Sequence, residues 1–304
     1  MTNLDQPLFD GSLATKGDLV DYLDAVRERL LPGLEQRALS VLRVRPGQPA
    51  FMQKNLPKYT PDWVRTTTVW AEASKREVTY ALCDDRRTLL WLANQRAVEY
   101  HPALFRVGRH HPTHIVLDLD PPEGAPFEHV VAAAQLVHRT LSDCGLAAAV
   151  KTSGAKGLHV YLPVDRGVSV EDAAAATRAL AARAERLDPR IATTAYVKQD
   201  REGKVFLDST RARGATVVAA YSPRVRAGTP VSFPVGWTEL DRIRPADFTV
   251  HTALDALADR DPWRDSMPAP QSLPTDLLAE GHDIPVARVQ AMHEGKRRAR
   301  ERRS

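Results

Sequence analysis

The heptapeptide His114–Asp120 (HIVLDLD) constrains the fold of this chain more than any other segment. Its residues alternate so that Ile115, Leu117 and Leu119 share one face of a predicted β-strand, while Asp118 and Asp120 share the other. The Pro-Pro pair that follows ends the strand. Two carboxylates spaced by about 6–7 Å at the backbone can bind one hard cation or two. The alternative is an exposed strand end whose aspartates cap a turn.

The segments around this strand predict an α+β fold. One helix is expected at 127–143, and a second is expected to begin after its capping residue, Ser169, and to end near Leu187. Strands are expected near 148–151, 158–163, 193–198 and 204–208. Turn-linked strand pairs favour an antiparallel or mixed sheet over a doubly wound one. We predict a folded region over 1–265, with an N-terminal module of about 1–110 and a second of about 111–265. Residues 266–304 read as a proline-rich and then basic tail.

Composition narrows the classes of protein that remain. No apolar run reaches the roughly 20 residues that span a bilayer, so we expect a cytoplasmic protein without a membrane partner. Cys83 and Cys144 lie far apart, which argues against a disulfide framework or a zinc site. The net charge of +4 comes entirely from 296–304, which carries six basic residues and one acid. Nucleic-acid affinity in the remainder must therefore come from local patches.

A third carboxylate and a glycine turn favour phosphate chemistry. Asp208 ends a second strand (KVFLD), and three carboxylates at strand ends can form a two-metal site for phosphoryl transfer. The turn Thr152–His159 combines two glycines with Ser153 and Lys156, which suit phosphates, and His159 begins the next strand. It lacks the order of a P-loop, and a simple hairpin turn remains the alternative.

Together these motifs carry a family resemblance. LDLDP at Leu117–Pro121, TSGAKGLHVY at Thr152–Tyr161 and GKVFLD at Gly203–Asp208 resemble the polymerase domain of bacterial ligase D, a member of the archaeo-eukaryotic primase superfamily. The resemblance runs from about Thr2 to Trp263, and it is to the stand-alone actinobacterial form, without ligase or nuclease modules. It implies an archaeo-eukaryotic primase fold, in which an RRM-like catalytic sheet packs against an N-terminal α/β module.

The resemblance also implies roles for individual residues. Asp118, Asp120 and Asp208 would bind two Mn²⁺ or Mg²⁺ ions. Nucleotide-binding, catalytic and DNA-binding roles are implied for three further groups: Ser153, Lys156, His159 and Arg224 for the triphosphate; His101 and Arg201 for catalysis; Lys16, Phe51, Met52, Lys54 and Asn55 for DNA.

Three positions depart from the family pattern. One of two lysines that bind a template 5′-phosphate is matched by Lys16, but Gln6 replaces the other. Phe51-Met52 stands where the family has an aromatic pair, and Arg211 where it more often has glutamine. Losing a cation and a stacking ring should weaken recognition of a recessed 5′-phosphate end.

The function expected from the sequence is template-dependent primase-polymerase activity. It would add nucleotides, with ribonucleotides preferred, to a 3′-hydroxyl during gap filling or DNA break repair. Expected partners are gapped, nicked or broken DNA, nucleoside triphosphates, and a DNA-repair ligase or end-binding protein, with the enzyme itself a nucleoid-associated monomer. Two alternatives stay open: a non-catalytic module that binds DNA ends, and a metal-dependent phosphodiesterase.

Overall fold

A computed structural model describes residues 1–71, 75–212 and 216–286. The helices and strands follow in chain order: α1 (Lys16–Ala25), α2 (Arg27–Leu34), β1 (Leu39–Arg45), β2 (Gln48–Gln53), β3 (Thr66–Ala71), β4 (Arg76–Ala81), α3 (Arg86–Asn94), β5 (Ala97–Pro102), β6 (His114–Asp120), α4 (Phe127–Asp143), β7 (Ala149–Thr152), β8 (Leu158–Pro163), α5 (Val170–Leu187), β9 (Ala192–Thr193), β10 (Val205–Asp208), β11 (Pro234–Val235), α6 (Ala253–Leu257), α7 (Pro262–Ser266) and α8 (Thr275–Asp283). None of these helices is long and apolar enough to cross a membrane.

The chain forms two compact units whose boundaries differ from the predicted modules. Unit 1 contains residues 1–110, 149–156 and 214–267; unit 2 contains 111–148, 157–213 and 268–304. The chain first passes from unit 1 to unit 2 after residue 110, and it returns to unit 1 twice after that point. One boundary in the sequence cannot separate the two units. Strands β7 and β11 of unit 1 pair with each other although more than 80 residues of chain lie between them.

Unit 1 is built around an antiparallel sheet in the order β2-β1-β4-β3, with β5 also pairing to β1. Its first helix begins with a capping box, in which Thr15 accepts from the Asp18 amide and the Asp18 carboxylate accepts from the Thr15 amide. Leu19, Leu23 and Tyr100 supply part of a fully buried core. Helix α1 ends at Ala25, and α2 begins directly after Val26.

Unit 2 holds four strands of a six-stranded mixed sheet, in the order β8-β6-β10-β9. Strand β6 pairs antiparallel with β8 and β10, and β10 pairs parallel with β9. All six residues of β8 are buried, so both of its faces are covered. The predicted α+β class and the mixed sheet are confirmed.

The proline-rich segment includes a docked helix, which revises the prediction of a tail from residue 266. Helix α8 packs on α5, with Leu277 fully buried and Arg183 bound to Asp276 (2.9 Å) and Glu280 (2.7 Å). A Cβ on Gly281 would lie 2.0 Å from the Ala175 carbonyl oxygen, so only glycine permits this approach. The basic segment 296–304 lies outside the described residues.

Candidate active site

The cross-strand register of unit 2 places an acidic row on one face of its sheet. Asp118 on β6 pairs directly with Asp208 on β10 and with His159 on β8, so the three side chains lie side by side. Asp120 is two residues farther along β6 and faces the same way. The sheet thus brings the three predicted carboxylates together, and it adds the predicted histidine.

Two basic side chains, His159 and Arg211, contact the carboxylates at the centre of this row. His159 Nε2 lies 3.4 Å from Asp118 Oδ1, and Arg211 Nη2 lies 2.8 Å from Asp118 Oδ2 and 3.0 Å from Asp208 Oδ2. Burial alone would raise the pKa of Asp118, but His159 and Arg211 outweigh it and hold that pKa below its usual value. Asp118 is therefore ionised at neutral pH and suited to a cation.

Asp208 is fixed by local hydrogen bonds as well as by Arg211. Its Oδ1 accepts from the Thr210 amide (2.8 Å) and from the Thr210 hydroxyl (2.6 Å). This leaves Oδ2 facing the guanidinium of Arg211, the middle residue of the short turn Thr210–Ala212 that follows β10. The carboxylate is thus oriented by the backbone turn that follows its own strand.

Arg201 reaches Asp120 across an aromatic ring. Its guanidinium stacks on Phe206 at 3.7 Å from the ring centroid and approaches Asp120 Oδ2 at 3.5 Å. Phe206 is the cross-strand partner of Asp120, so the ring lies beside the carboxylate that the arginine contacts. The family resemblance implied a role for Arg201, but it did not indicate the ring beneath it.

The donor set of this row fits a divalent metal ion. Carboxylate oxygens are the ligands that Mg²⁺ and Mn²⁺ prefer. One guanidinium nitrogen lies between oxygens of Asp118 and Asp208, which shows that the space between them holds a positive charge. Within the described part of the chain, no three His, Cys, Asp or Glu side chains form a ready-made metal cluster. Binding an ion between Asp118 and Asp208 therefore requires Arg211 to move.

Unit 1 contains a second group of predicted residues, centred on Glu99. This buried carboxylate accepts from His101 Nε2 (2.9 Å) and the Val225 amide (2.9 Å), and it lies 3.1 Å from Arg224 Nε. Burial alone would raise the pKa of Glu99, but these three partners lower it to about 2. Glu99 thus holds both predicted residues. Sequence reasoning overlooked it, although a glutamate two residues before His101 in an apolar strand was a usable signal.

The first half of the glycine turn is fitted against the same arginine. Arg224 Nη1 donates to the Ser153 carbonyl. Gly154 has a φ of +67°, and a Cβ there would lie 2.6 Å from Arg224 Cγ and 2.9 Å from the Ser232 amide nitrogen. Ser153 is buried and Lys156 is exposed. Glycine at 154 is therefore required both by its backbone conformation and by the close approach of Arg224.

The family of this chain follows from comparison with known proteins. A family model described as the LigD primase-polymerase domain matches residues 15–263, most of the chain. The chain belongs to the LigD primase-polymerase family. This confirms the resemblance inferred from its three motifs.

Individual relatives and a solved structure support the same family. The chain is 33% identical to the bifunctional non-homologous end joining protein LigD of Bacillus subtilis, over 91% of its own length and 45% of that protein. It is 36% identical to the multifunctional LigD of Mycobacterium bovis, over 79% of its length and 33% of that protein. The chain therefore spans less than half of these curated relatives. The polymerase domain from Mycobacterium tuberculosis ligase D, solved in complex with DNA, matches with a TM-score of 0.81 at 33% identity, over 88% of this chain and 96% of that one. This likeness confirms the predicted archaeo-eukaryotic primase type of fold.

Residues expected on the DNA side of a LigD primase-polymerase lie in unit 1, and they differ in exposure. Lys54 and Met52 are exposed, whereas the Phe51 ring lies beneath the Arg45 guanidinium at 4.9 Å. Asn55 accepts from the Thr79 amide (2.9 Å), so it also fixes the loop after β2.

Lys16 is placed differently from the other candidates. Only 3% of it is exposed, and its ammonium donates to the Thr2 carbonyl (2.6 Å) and to Asn94 Oδ1 (2.7 Å). Burial, and then the nearby Arg96, lower the pKa of this lysine. Gln6, at the other departed position, accepts from Arg96 (2.7 Å). In this structure the Lys16 ammonium holds the N-terminal segment in place and is buried, whereas Gln6 is exposed but carries no charge.

Proposed function

We propose that this chain is a template-dependent primase-polymerase, which adds nucleotides to a 3′-hydroxyl at DNA gaps or breaks. The observation that carries the proposal is the row of Asp208, Asp118 and His159 across three strands, with Asp120 beside it, in a member of the LigD primase-polymerase family. Cross-strand pairing of two like charges destabilises a sheet, so a bound cation is the favourable state of such a row.

The carboxylates would hold two Mn²⁺ or Mg²⁺ ions. When bound, such ions supply Lewis-acid stabilisation of charge on phosphate oxygens. Asp208 is held by Thr210 and Asp118 by His159, so both carboxylates are oriented before any substrate arrives. Preorganised charge of this kind contributes to catalysis because it needs no rearrangement during the reaction.

The cationic side chains would bind the triphosphate. Arg224 is oriented by Glu99, Lys156 is an exposed ammonium on the glycine turn, and Ser153 offers a hydroxyl on the same turn. His101, also held by Glu99, would contact the nucleotide. Arg201, stacked on Phe206 beside Asp120, would help to assemble the metal site.

Primer extension tests this proposal. A labelled primer on gapped DNA would be incubated with Mn²⁺ or Mg²⁺ and with either NTPs or dNTPs. Wild-type extension should be lost in Asp118→Asn and retained in Asp143→Asn, an exposed aspartate at the end of α4. Faster extension with NTPs would establish the ribonucleotide preference.

Other outcomes of the same assay separate the alternatives. No extension by the folded wild type would contradict the proposal and favour a non-catalytic module that binds DNA ends. A primer that shortens would favour a phosphodiesterase.

We further propose that this chain recognises a recessed 5′-phosphate weakly. Two observations support this proposal. The ammonium of Lys16 is buried and donates to Thr2 and Asn94, and Gln6 carries no charge and accepts from Arg96. Neither of these two positions therefore presents a cation to a phosphate. Gapped duplexes with and without a 5′-phosphate should bind with affinities that differ by less than about threefold, well under 1 kcal/mol. A tenfold preference for the phosphorylated duplex would refute it.

A further inference from the structure

The guanidinium of Arg211 lies between the two carboxylates that face each other across strands β6 and β10. A single nitrogen, Nη2, is 2.8 Å from Asp118 Oδ2 and 3.0 Å from Asp208 Oδ2. The other oxygens of these carboxylates already have partners: His159 for Asp118 and Thr210 for Asp208. Arg211 therefore occupies the two oxygens that remain to bind a cation.

The rest of the arginine is less well satisfied than this nitrogen. Among the residues that the structure describes, its buried Nε has no hydrogen-bond partner. A buried donor without a partner lowers the stability of the folded state. The contacts of Nη2 with Asp118 and Asp208 offset this cost and hold the guanidinium in place. Its side chain is also one-third exposed, which leaves it a route to solvent. The arrangement is that of an exchangeable cation and not of a fully bonded structural arginine.

We propose that Arg211 competes with the divalent metal ion for Asp118 and Asp208, and so sets the metal concentration at which the site fills. The inference rests on the proposed function, since it assumes that these carboxylates bind metal. The positive charge at this position relieves the repulsion between paired carboxylates when no metal is bound. A metal ion must then displace a cation as well as bind, and its apparent affinity falls by the strength of the arginine contact.

The Arg211→Gln variant tests the competition directly. Glutamine keeps a hydrogen-bond donor but removes the charge. Mn²⁺ would be titrated into each protein without nucleotide or DNA, and free Mn²⁺ would be followed by its electron paramagnetic resonance signal. We expect R211Q to bind Mn²⁺ at least tenfold more tightly than the wild type.

Matched variants identify the source of any change. Arg190 lies in the same unit, and its only described carboxylate partner is Asp188, two residues away in the sequence. The control variant Arg190→Gln should therefore bind Mn²⁺ with the affinity of the wild type. Asp118→Asn in the R211Q background should abolish the tight site. Equal affinities of R211Q and the wild type would overturn the competition while leaving metal binding intact. Absence of binding in every protein, R211Q included, would overturn the proposed metal site itself.

A measurement on the wild type removes any dependence on variant folding. Phenylglyoxal modifies accessible guanidinium groups, and peptide mass spectrometry reports the rate at each arginine. If Mn²⁺ displaces Arg211, the labelling rate of Arg211 should rise at least threefold when Mn²⁺ is added. The labelling rate of Arg190 should stay constant. Unchanged or slower labelling of Arg211 at saturating Mn²⁺ would overturn the proposal.

Discussion

Replacing Gly157 with alanine should disturb the acidic row without touching any of its side chains. A Cβ at this position would lie 2.3 Å from the carbonyl oxygen of Leu119, the residue between Asp118 and Asp120. That distance is about 1 Å shorter than an ordinary van der Waals contact. Either β6 or the glycine turn must move by this amount, and a displaced β6 carries both aspartates with it.

The expected magnitude follows from the size of this clash. Overpacking of one methyl group costs about 1–3 kcal/mol, and 1 kcal/mol lowers Tm by about 2–4 °C in a domain of this size range. At about 2 kcal/mol, the middle of that range, G157A should melt roughly 4–8 °C below the wild type. A displacement of about 1 Å in a catalytic group can cost about 100-fold in rate, so primer extension should fall by a similar factor.

Calorimetry and steady-state primer extension would measure the two effects on the same samples. Gly33→Ala provides the matched control, because nothing lies within 4 Å of a Cβ there. Gly33 is in helix α2, where alanine is favoured by about 0.5–1 kcal/mol, so G33A should be at least as stable as the wild type. A G157A protein with wild-type Tm and rate would refute the reasoning. A lower Tm with an unchanged rate would refute only the link between the turn and the aspartates.

Two further predictions concern Glu99 and Gly281. Glu99 has a pKa of about 2 in the folded state against about 4.5 when unfolded, so it stabilises the fold by at most about 3 kcal/mol above pH 4.5, and this contribution is lost as pH falls toward 2. In urea unfolding, Glu99→Gln should therefore be less stable than the wild type at pH 7 and closer to it in stability at pH 3. An equal difference in stability at both pH values would count against the ion-pair account. Glu123→Gln, which changes an exposed glutamate, is the control. Gly281→Ala should loosen helix α8 from α5, because its Cβ would meet the Ala175 carbonyl at 2.0 Å. Hydrogen exchange should then speed up at least tenfold in 275–283, and unchanged exchange there would show that the helices do not pack this closely.

Strands and helices with strong local signals were predictable from the sequence. The bounds of β6, α4 and β8 match the predicted ranges, and α5 begins after its predicted cap, Ser169. Alternation, capping residues and prolines act within a few residues of one another, so they can be interpreted without knowing the tertiary structure.

Elements that depend on distant contacts were not predictable in the same way. Of the strand expected at 193–198, only Thr193 pairs with β10, and the hydroxyl of the next residue, Thr194, donates to Glu185 on α5 (2.7 Å). Helix α8 has nine residues among prolines, and its position is set by Arg183 and by the glycine contact with α5. Neither feature leaves a local pattern in the sequence.

In the candidate site, too, local features were predictable from the sequence and long-range contacts were not. The spacing of Asp118 and Asp120 predicted their shared face, whereas the contact of Arg211 with two carboxylates depends on the pairing of β6 with β10. Glu99 reaches Arg224 from a segment more than 120 residues away, a contact that only the folded chain reveals.

The acidic row also limits how the gene for this protein can tolerate insertions and deletions. Side chains alternate between the two faces of a strand, so removing one residue within β10 would turn Asp208 away from Asp118 and into the opposite face of the sheet. The same applies to β8 and His159. A single in-frame codon deletion in either strand should therefore be as damaging to activity as replacing the site residue itself, although no site residue would be missing from the sequence.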